Sequence, residues 1–131
     1  MSNMSWVLDD RLARSCRPGY SRFTNVTQEE VDAWINEAVS LGIKSIICFL
    51  DDELSYYKEI PGGLLNCYRE NGFEVEHIPV MDYKSPALSK EELEKTGEAY
   101  IELPKPVLIH CSAGVDRTGC AVEYLKSNFR P

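Results

Sequence analysis

At 131 residues the chain suits a single domain, 1–131, with a hydrophobic core of its own. Apolar residues make up 44%, which favours a globular chain over a disordered one, and a formal charge of −7 argues against a dedicated binder of nucleic acid or anionic membrane. Five cysteines (Cys16, Cys48, Cys67, Cys111, Cys120) show neither a disulfide framework nor zinc spacing, no leader pattern opens the chain, and the apolar run from Ser45 to Leu50 is too short to span a bilayer. The expectation is a soluble, cytoplasmic protein in a reducing compartment, with no metal or cofactor.

Trp6 to Leu8 and Arg11 to Ser15 read as short strands joined by Asp9-Asp10, and Arg17-Pro18-Gly19 as a turn. Arg14 and Arg17 read as solvated side chains, with a phosphate-facing role as the alternative. Thr27-Gln28-Glu29-Glu30 is a capping box, and Val31, Trp34, Ile35, Ala38 and Val39 follow at helical spacing, so a helix runs to Gly42 with Trp34 in the core. Ile43 to Leu50 reads as a buried strand. Asp51-Asp52-Glu53 reads as a solvated turn rather than a metal site.

Pro61-Gly62-Gly63 opens a helix that Asn71-Gly72 stops, and Phe73 to Pro79 reads as a strand. A loop with two prolines, Pro79 to Pro86, carries Asp82. Ser89-Lys90-Glu91-Glu92 is a second capping box, for a helix that Pro104 and Pro106 end. Alternating strands and helices predict an α/β fold: a central, mainly parallel (mixed) sheet flanked by helices. In such sheets ligands sit outside the carboxyl ends of strands.

The most informative stretch is Val107 to Cys120. Val107 to His110 reads as a strand and Ala121 to Lys126 as a helix. Between Cys111 and Arg117 lie five residues: Ser112, Ala113, Gly114, Val115 and Asp116. A loop wrapping into a helix N-terminus aims several N–H groups at one spot and makes an anion site. Arg117 adds a fork for phosphoryl oxygens. A thiol in such a cup ionises more readily than a free one and serves as a nucleophile. Gly114 is expected to supply an unusual backbone angle, and Gly119 a close approach of the helix. Asp116 is expected to point outward, since an inward carboxylate would repel an anion.

The string His110-Cys111-Ser112-Ala113-Gly114-Val115-Asp116-Arg117-Thr118-Gly119 resembles the signature loop of cysteine-based protein tyrosine phosphatases. Ser5-Trp6-Val7-Leu8 followed by Arg11 to Ser15 resembles the entry strands of small dual-specificity phosphatases, and the likeness runs from about Trp6 to Tyr124. It implies a protein tyrosine phosphatase-like fold. It also implies hydrolysis of phosphate monoesters through a phosphocysteine: Cys111 as nucleophile, and Ser112 to Arg117 around the phosphate. Asp82, on a loop after a strand upstream of the nucleophile, would be the general acid. By the same likeness His110 supports the cysteine, and Thr118 bonds the sulfur and assists breakdown of the intermediate.

The substrate expected is a phosphorylated protein, phosphotyrosine first, with phosphoserine and phosphothreonine as further candidates. The rivals are a phosphoinositide or RNA 5′-phosphatase, a phospho-binding module without turnover, and, further off, a sulfurtransferase. Val115 stands where loops of phosphoinositide phosphatases often carry lysine, which weighs against lipid. In some similar phosphatases a second cysteine traps the oxidised nucleophile. Here Cys48 and Cys120 raise that question, and an inert core thiol is the plainer reading of Cys48. Relatives usually continue with more helices after the loop helix. The expectation is therefore a shortened C-terminal helical part, where apolar surface left open would favour a homodimer.

Overall fold

Two short strands with a tight turn open the fold. In the computed structural model, which describes residues 4–129, β1 (Ser5–Leu8) pairs antiparallel with β2 (Leu12–Ser15). Asp10 takes the turn at φ +60°, a conformation aspartate tolerates better than most residues. Three further strands follow, each preceded by a helix: α1 (Gln28–Ser40) and β3 (Ser45–Cys48), α2 (Leu64–Glu70) and β4 (Glu74–His77), α3 (Lys90–Glu102) and β5 (Val107–His110). The helix α4 (Asp116–Asn128) leaves the end of β5. The sheet order is β1-β2-β5-β3-β4, and every pairing except β1 with β2 is parallel. This is the mixed α/β architecture expected from the pattern.

Burial on both faces explains the unbroken apolar reading of β3 and β5, whose residues are all buried. Side chains alternate across the sheet. Ala13, Ile46, Cys48 and Leu108 join Val31, Trp34, Ile35 and Tyr68 on the face covered by α1 and α2. Leu12, Ile47, Val107 and Ile109 join Tyr100, Val122 and Leu125 on the face covered by α3 and α4. Both capping boxes form as read: Thr27 with Glu30, and Ser89 with Glu92. Among the described residues no helix is long and apolar enough to cross a membrane.

Three local readings are corrected. The helix expected from Pro61 begins at Leu64, because Gly62 and Gly63 both hold positive φ and so lie outside a right-handed helix. The strand expected over Ile43 to Leu50 keeps a regular ladder only at Ser45–Cys48. The acidic turn after it is a 3₁₀ helix, Asp52–Tyr57, with Glu53 and Tyr57 buried.

Candidate active site

β5 is the central strand, between β2 and β3, and Cys111 follows its last residue. The loop from Cys111 to Val115 turns straight into α4. Gly114 is required there: its φ is +79°, and a Cβ would lie 2.5 Å from the Ser15 carbonyl oxygen at the end of β2. Gly119 is not required for close approach. A Cβ there would meet only the Arg14 guanidinium at 3.5 Å, an ordinary contact, which corrects the sequence reading.

The loop is gripped by the strand beside it. Arg14 Nη2 donates to the Gly114 carbonyl at 2.8 Å, the Arg17 amide to the Ser112 carbonyl at 2.9 Å, and Arg17 Nε to Ser112 Oγ at 3.1 Å. The solvated reading of these arginines is therefore overturned: Arg17 is fully buried and Arg14 partly so. Parallel pairing of β2 with β5, Ser15 opposite His110, brings them to the loop. No carbonyl of the described residues accepts from the N–H groups of Ser112 to Arg117, so these donors remain free for a ligand.

Cys111 is 2% exposed, and Thr118 Oγ1 donates to its sulfur at 3.0 Å. His110 is wholly buried: its Nδ1 lies 3.0 Å from the Cys111 carbonyl oxygen and its Nε2 2.9 Å from the Tyr68 hydroxyl. Burial holds its pKa down at about 4. Asp116 is exposed in the first turn of α4, where a carboxylate suits the helix dipole, and it lies on the rim of the space over Cys111. Ala113 and Val115 are exposed on the loop, and Ser112 is half-buried.

Arg117 is buried and strongly engaged. Nη1 donates to the carbonyls of Phe49 (3.2 Å) and Val80 (2.7 Å), which lie beyond the ends of β3 and β4. Nη2 donates to Glu53 Oε2 at 2.5 Å and faces Asp82 Oδ2 at 3.3 Å. Its buried Nε has no partner among the described residues. Burial opposes the charge of both partners, but their contact outweighs it: Glu53, which also accepts from the Asp51 amide, titrates below the ordinary carboxylate range, and Arg117 above its own ordinary value. Sequence reasoning missed Glu53 and placed it in a solvated turn. Three adjacent acidic residues carry no signal as to which one turns inward.

Asp82 is half-buried. Its Oδ1 accepts from the Tyr83 amide at 2.9 Å, the local turn contact, while Oδ2 faces Arg117. It borders a cleft of ≈ 240 Å³ together with Cys111, Ser112, Arg117, Phe23 and Tyr83. An adjoining hollow of ≈ 350 Å³ is walled by Phe23, Tyr56 and Met81, with Asp51, Asp52 and Glu53 at its edge. A larger hollow of ≈ 490 Å³ near β4 and α3, lined by Arg69, Glu74 and Glu102 among others, contains no nucleophile. Cys48 is fully buried opposite His110, its thiol pushed up to about 12 by burial, and Cys120 is half-buried on α4; all five cysteines are free thiols. No group of metal-ligating side chains occurs among the described residues.

A sheet of this order, with a cysteine-to-arginine loop feeding a helix from its central strand, defines the cysteine-based phosphatases of the protein tyrosine phosphatase superfamily, dual-specificity type. Residues 36–127 match the family model described as Tc-R-P, the polymorphic toxin system DSP-PTPase phosphatase, and the chain belongs to that family. No curated protein matches the sequence. Among solved structures it is similar to Tk-PTP in its active form, with 26% identity over 98% of this chain and 76% of that one and a TM-score of 0.65. It is also similar to the kinase associated phosphatase KAP, with 28% identity over 92% and 68% of the two chains and a TM-score of 0.63. The core catalytic domain of the PP-IP phosphatase SIW14 from S. cerevisiae shares the fold, with 24% identity over 96% and 65% and a TM-score of 0.66.

Proposed function

We propose that this phosphatase hydrolyses aryl phosphate monoesters, phosphotyrosine in proteins foremost, through a phosphocysteine on Cys111 and without a metal. The sulfur attacks phosphorus, the bond to the leaving oxygen breaks, and Asp82 gives that oxygen its proton. Arg117 and the free N–H groups of Ser112 to Arg117 hold the three non-bridging oxygens as charge builds on them. Water then attacks the phosphocysteine, Asp82 takes its proton, and the sulfur leaves as thiolate, steadied by the Thr118 hydroxyl. His110 fixes the main chain at Cys111 and transfers no proton.

The observation that carries this reading is the buried, unpartnered Nε of Arg117 in a cup that also holds Cys111. A buried donor without an acceptor costs stability, so a site that keeps one is built for a ligand oxygen. The rim supports an aryl substrate. Tyr20, Phe23, Met81 and Tyr83 are exposed around the cleft and hollow, and Asp51, Asp52, Asp82 and Asp116 line the same region. Lys84 nearby is paired with Glu92. An inositol polyphosphate or an RNA 5′ end would need cations where these carboxylates stand. Five free thiols fit a reducing compartment.

The test is phosphate release from phosphotyrosine, phosphoserine and phosphothreonine peptides, phosphoinositides, an inositol pyrophosphate and triphosphorylated RNA, with chelator present and Cys111→Ser as control. Fastest release from phosphotyrosine, absent in the control, is expected. Activity that survives in Cys111→Ser or vanishes with chelator overturns the mechanism, and release from lipid, inositol or RNA alone overturns the substrate class.

A further inference from the structure

Two arginines are fully buried at this site, and their charges are balanced differently. Arg117 faces Glu53 and Asp82. Arg17 pairs with no carboxylate among the described residues. A buried cation without a counter-charge is costly and persists only where its surroundings hold it firmly. Arg17 is held on two sides. On one, Nε and the main-chain N–H bind Ser112, the residue after the nucleophile. On the other, Nη1 donates to the Gly19 carbonyl and the Tyr57 hydroxyl, and Nη2 to the carbonyls of Tyr20 and Arg22. The rings of Tyr56, Tyr20 and Phe23 surround the guanidinium at 4.9, 5.5 and 5.9 Å to their centroids.

Those rings are also the walls of the site. Tyr20 and Phe23 border the cleft over Cys111, and Phe23 and Tyr56 border the adjoining hollow. Phe23 is 65% exposed and Tyr20 41%, so core packing does little to fix them. Cation–π attraction to Arg17 does more. One side chain thus grips both the rim that would meet a leaving-group ring and the loop that would meet its phosphate.

We propose that Arg17 is a positioning residue that couples recognition of the aryl group to recognition of the phosphate, holding Ser112 and the aromatic rim as one unit. This deepens the aryl-ester reading and rests on it. A bound ring that settles the rim also settles Arg17, and through it Ser112 and the loop donors beside Cys111. Lysine at this position keeps the charge but lacks the planar fork that reaches Ser112, the carbonyls and the Tyr57 hydroxyl together. It therefore separates rim from loop without removing the cation.

The experiment measures kcat/KM for a phosphotyrosine peptide and for the same peptide carrying phosphoserine, in wild type and Arg17→Lys, with thermal unfolding to show that the variant folds. The expected result is a tyrosine-over-serine preference that shrinks about tenfold or more in Arg17→Lys, because the aryl substrate loses both rim and loop support. A merely structural role lowers both substrates equally. A preference unchanged in Arg17→Lys overturns this inference alone, whereas a wild type with no preference overturns the aryl reading and this inference with it. Should Arg17→Lys not fold, Phe23→Leu and Ser112→Ala are combined in a double-mutant cycle on the phosphotyrosine peptide. A combined loss smaller than the product of the single losses supports coupling, and losses that simply multiply overturn it.

Discussion

His110 carries its proton on Nδ1. The Cys111 carbonyl beside that nitrogen only accepts, so Nδ1–H must donate to it, and Nε2 accepts from the Tyr68 hydroxyl. The ring is neutral because burial lowers its pKa from 6.5 to about 4. Between those values the unfolded chain binds the extra proton, so stability held by the neutral ring is complete above the unfolded value and lost as pH falls toward 4, ~3 kcal/mol in all. Urea unfolding across that range should show the loss, and His110→Asn, which keeps an amide N–H near Nδ1, should flatten the slope. Glu53 acts in the same direction, its lowered carboxyl losing its contribution under acid. Glu53→Gln should cost on the order of 3 kcal/mol, because it leaves the Arg117 charge buried against the half-buried Asp82 alone. Saturating inorganic phosphate should restore part of this by taking over as counter-charge, read as a shift in the thermal midpoint. For Asp82→Asn, turnover of a poor leaving group should fall about a hundredfold or more, and that of a good one far less, since only the poor one needs a proton. Equal losses on both would reject Asp82 as the acid.

The helices entering and leaving the sheet are set by local chemistry, and the loop between β5 and α4 by its neighbours. Thr27 closes the first turn of α1 from both directions, and Thr27→Ala should lower stability by ~1 kcal/mol in denaturant unfolding. That change leaves the site intact, so kcat/KM should stay near wild type. Gly114→Ala should cost activity as well as stability. A methyl group there meets the main chain at Ser15 and Cys16, which does not yield as a flexible side chain does, and the backbone sits at positive φ. A stability loss of ~1–3 kcal/mol with activity lost far out of proportion is expected, because the donors of the cup move when the loop shifts. The C-terminal end of α4 is closed from within the chain: Phe129 packs edge-on to Tyr100 and tilted on Tyr124, directly over Gly97, where a Cβ would come within 2.8 Å of its ring.

A net charge of −7 on so small a protein sets the field through which any charged substrate approaches. Asp51, Asp52 and Asp116 add to it locally around the cleft and hollow. Phosphotyrosine peptides with lysine or arginine beside the phosphorylated residue should therefore be hydrolysed with higher kcat/KM than acidic ones at low ionic strength. The gap should close as salt rises past roughly 0.15 M, where the screening length is about 8 Å. A preference for acidic peptides, or one insensitive to salt, would place the dominant field elsewhere.

What the amino-acid order settled by itself was whatever depends on near neighbours. Both capping boxes, the alternation that makes an α/β sheet, the apolar strand into Cys111, and the Cys111–Arg117 loop all lie within short windows where spacing and hydrogen-bonding chemistry suffice. Only the folded sheet decided which distant side chains share the cup. Arg17 reaches Ser112 across 95 positions because β2 runs parallel beside β5, and Glu53 reaches Arg117 across 64 because β3 flanks β5 on its other side. In the sequence, an arginine in a turn and one acid among three look solvated. They are drawn inward because two opposite charges, and one cation ringed by carbonyls and aromatic faces, find partners only when strand order brings those partners together.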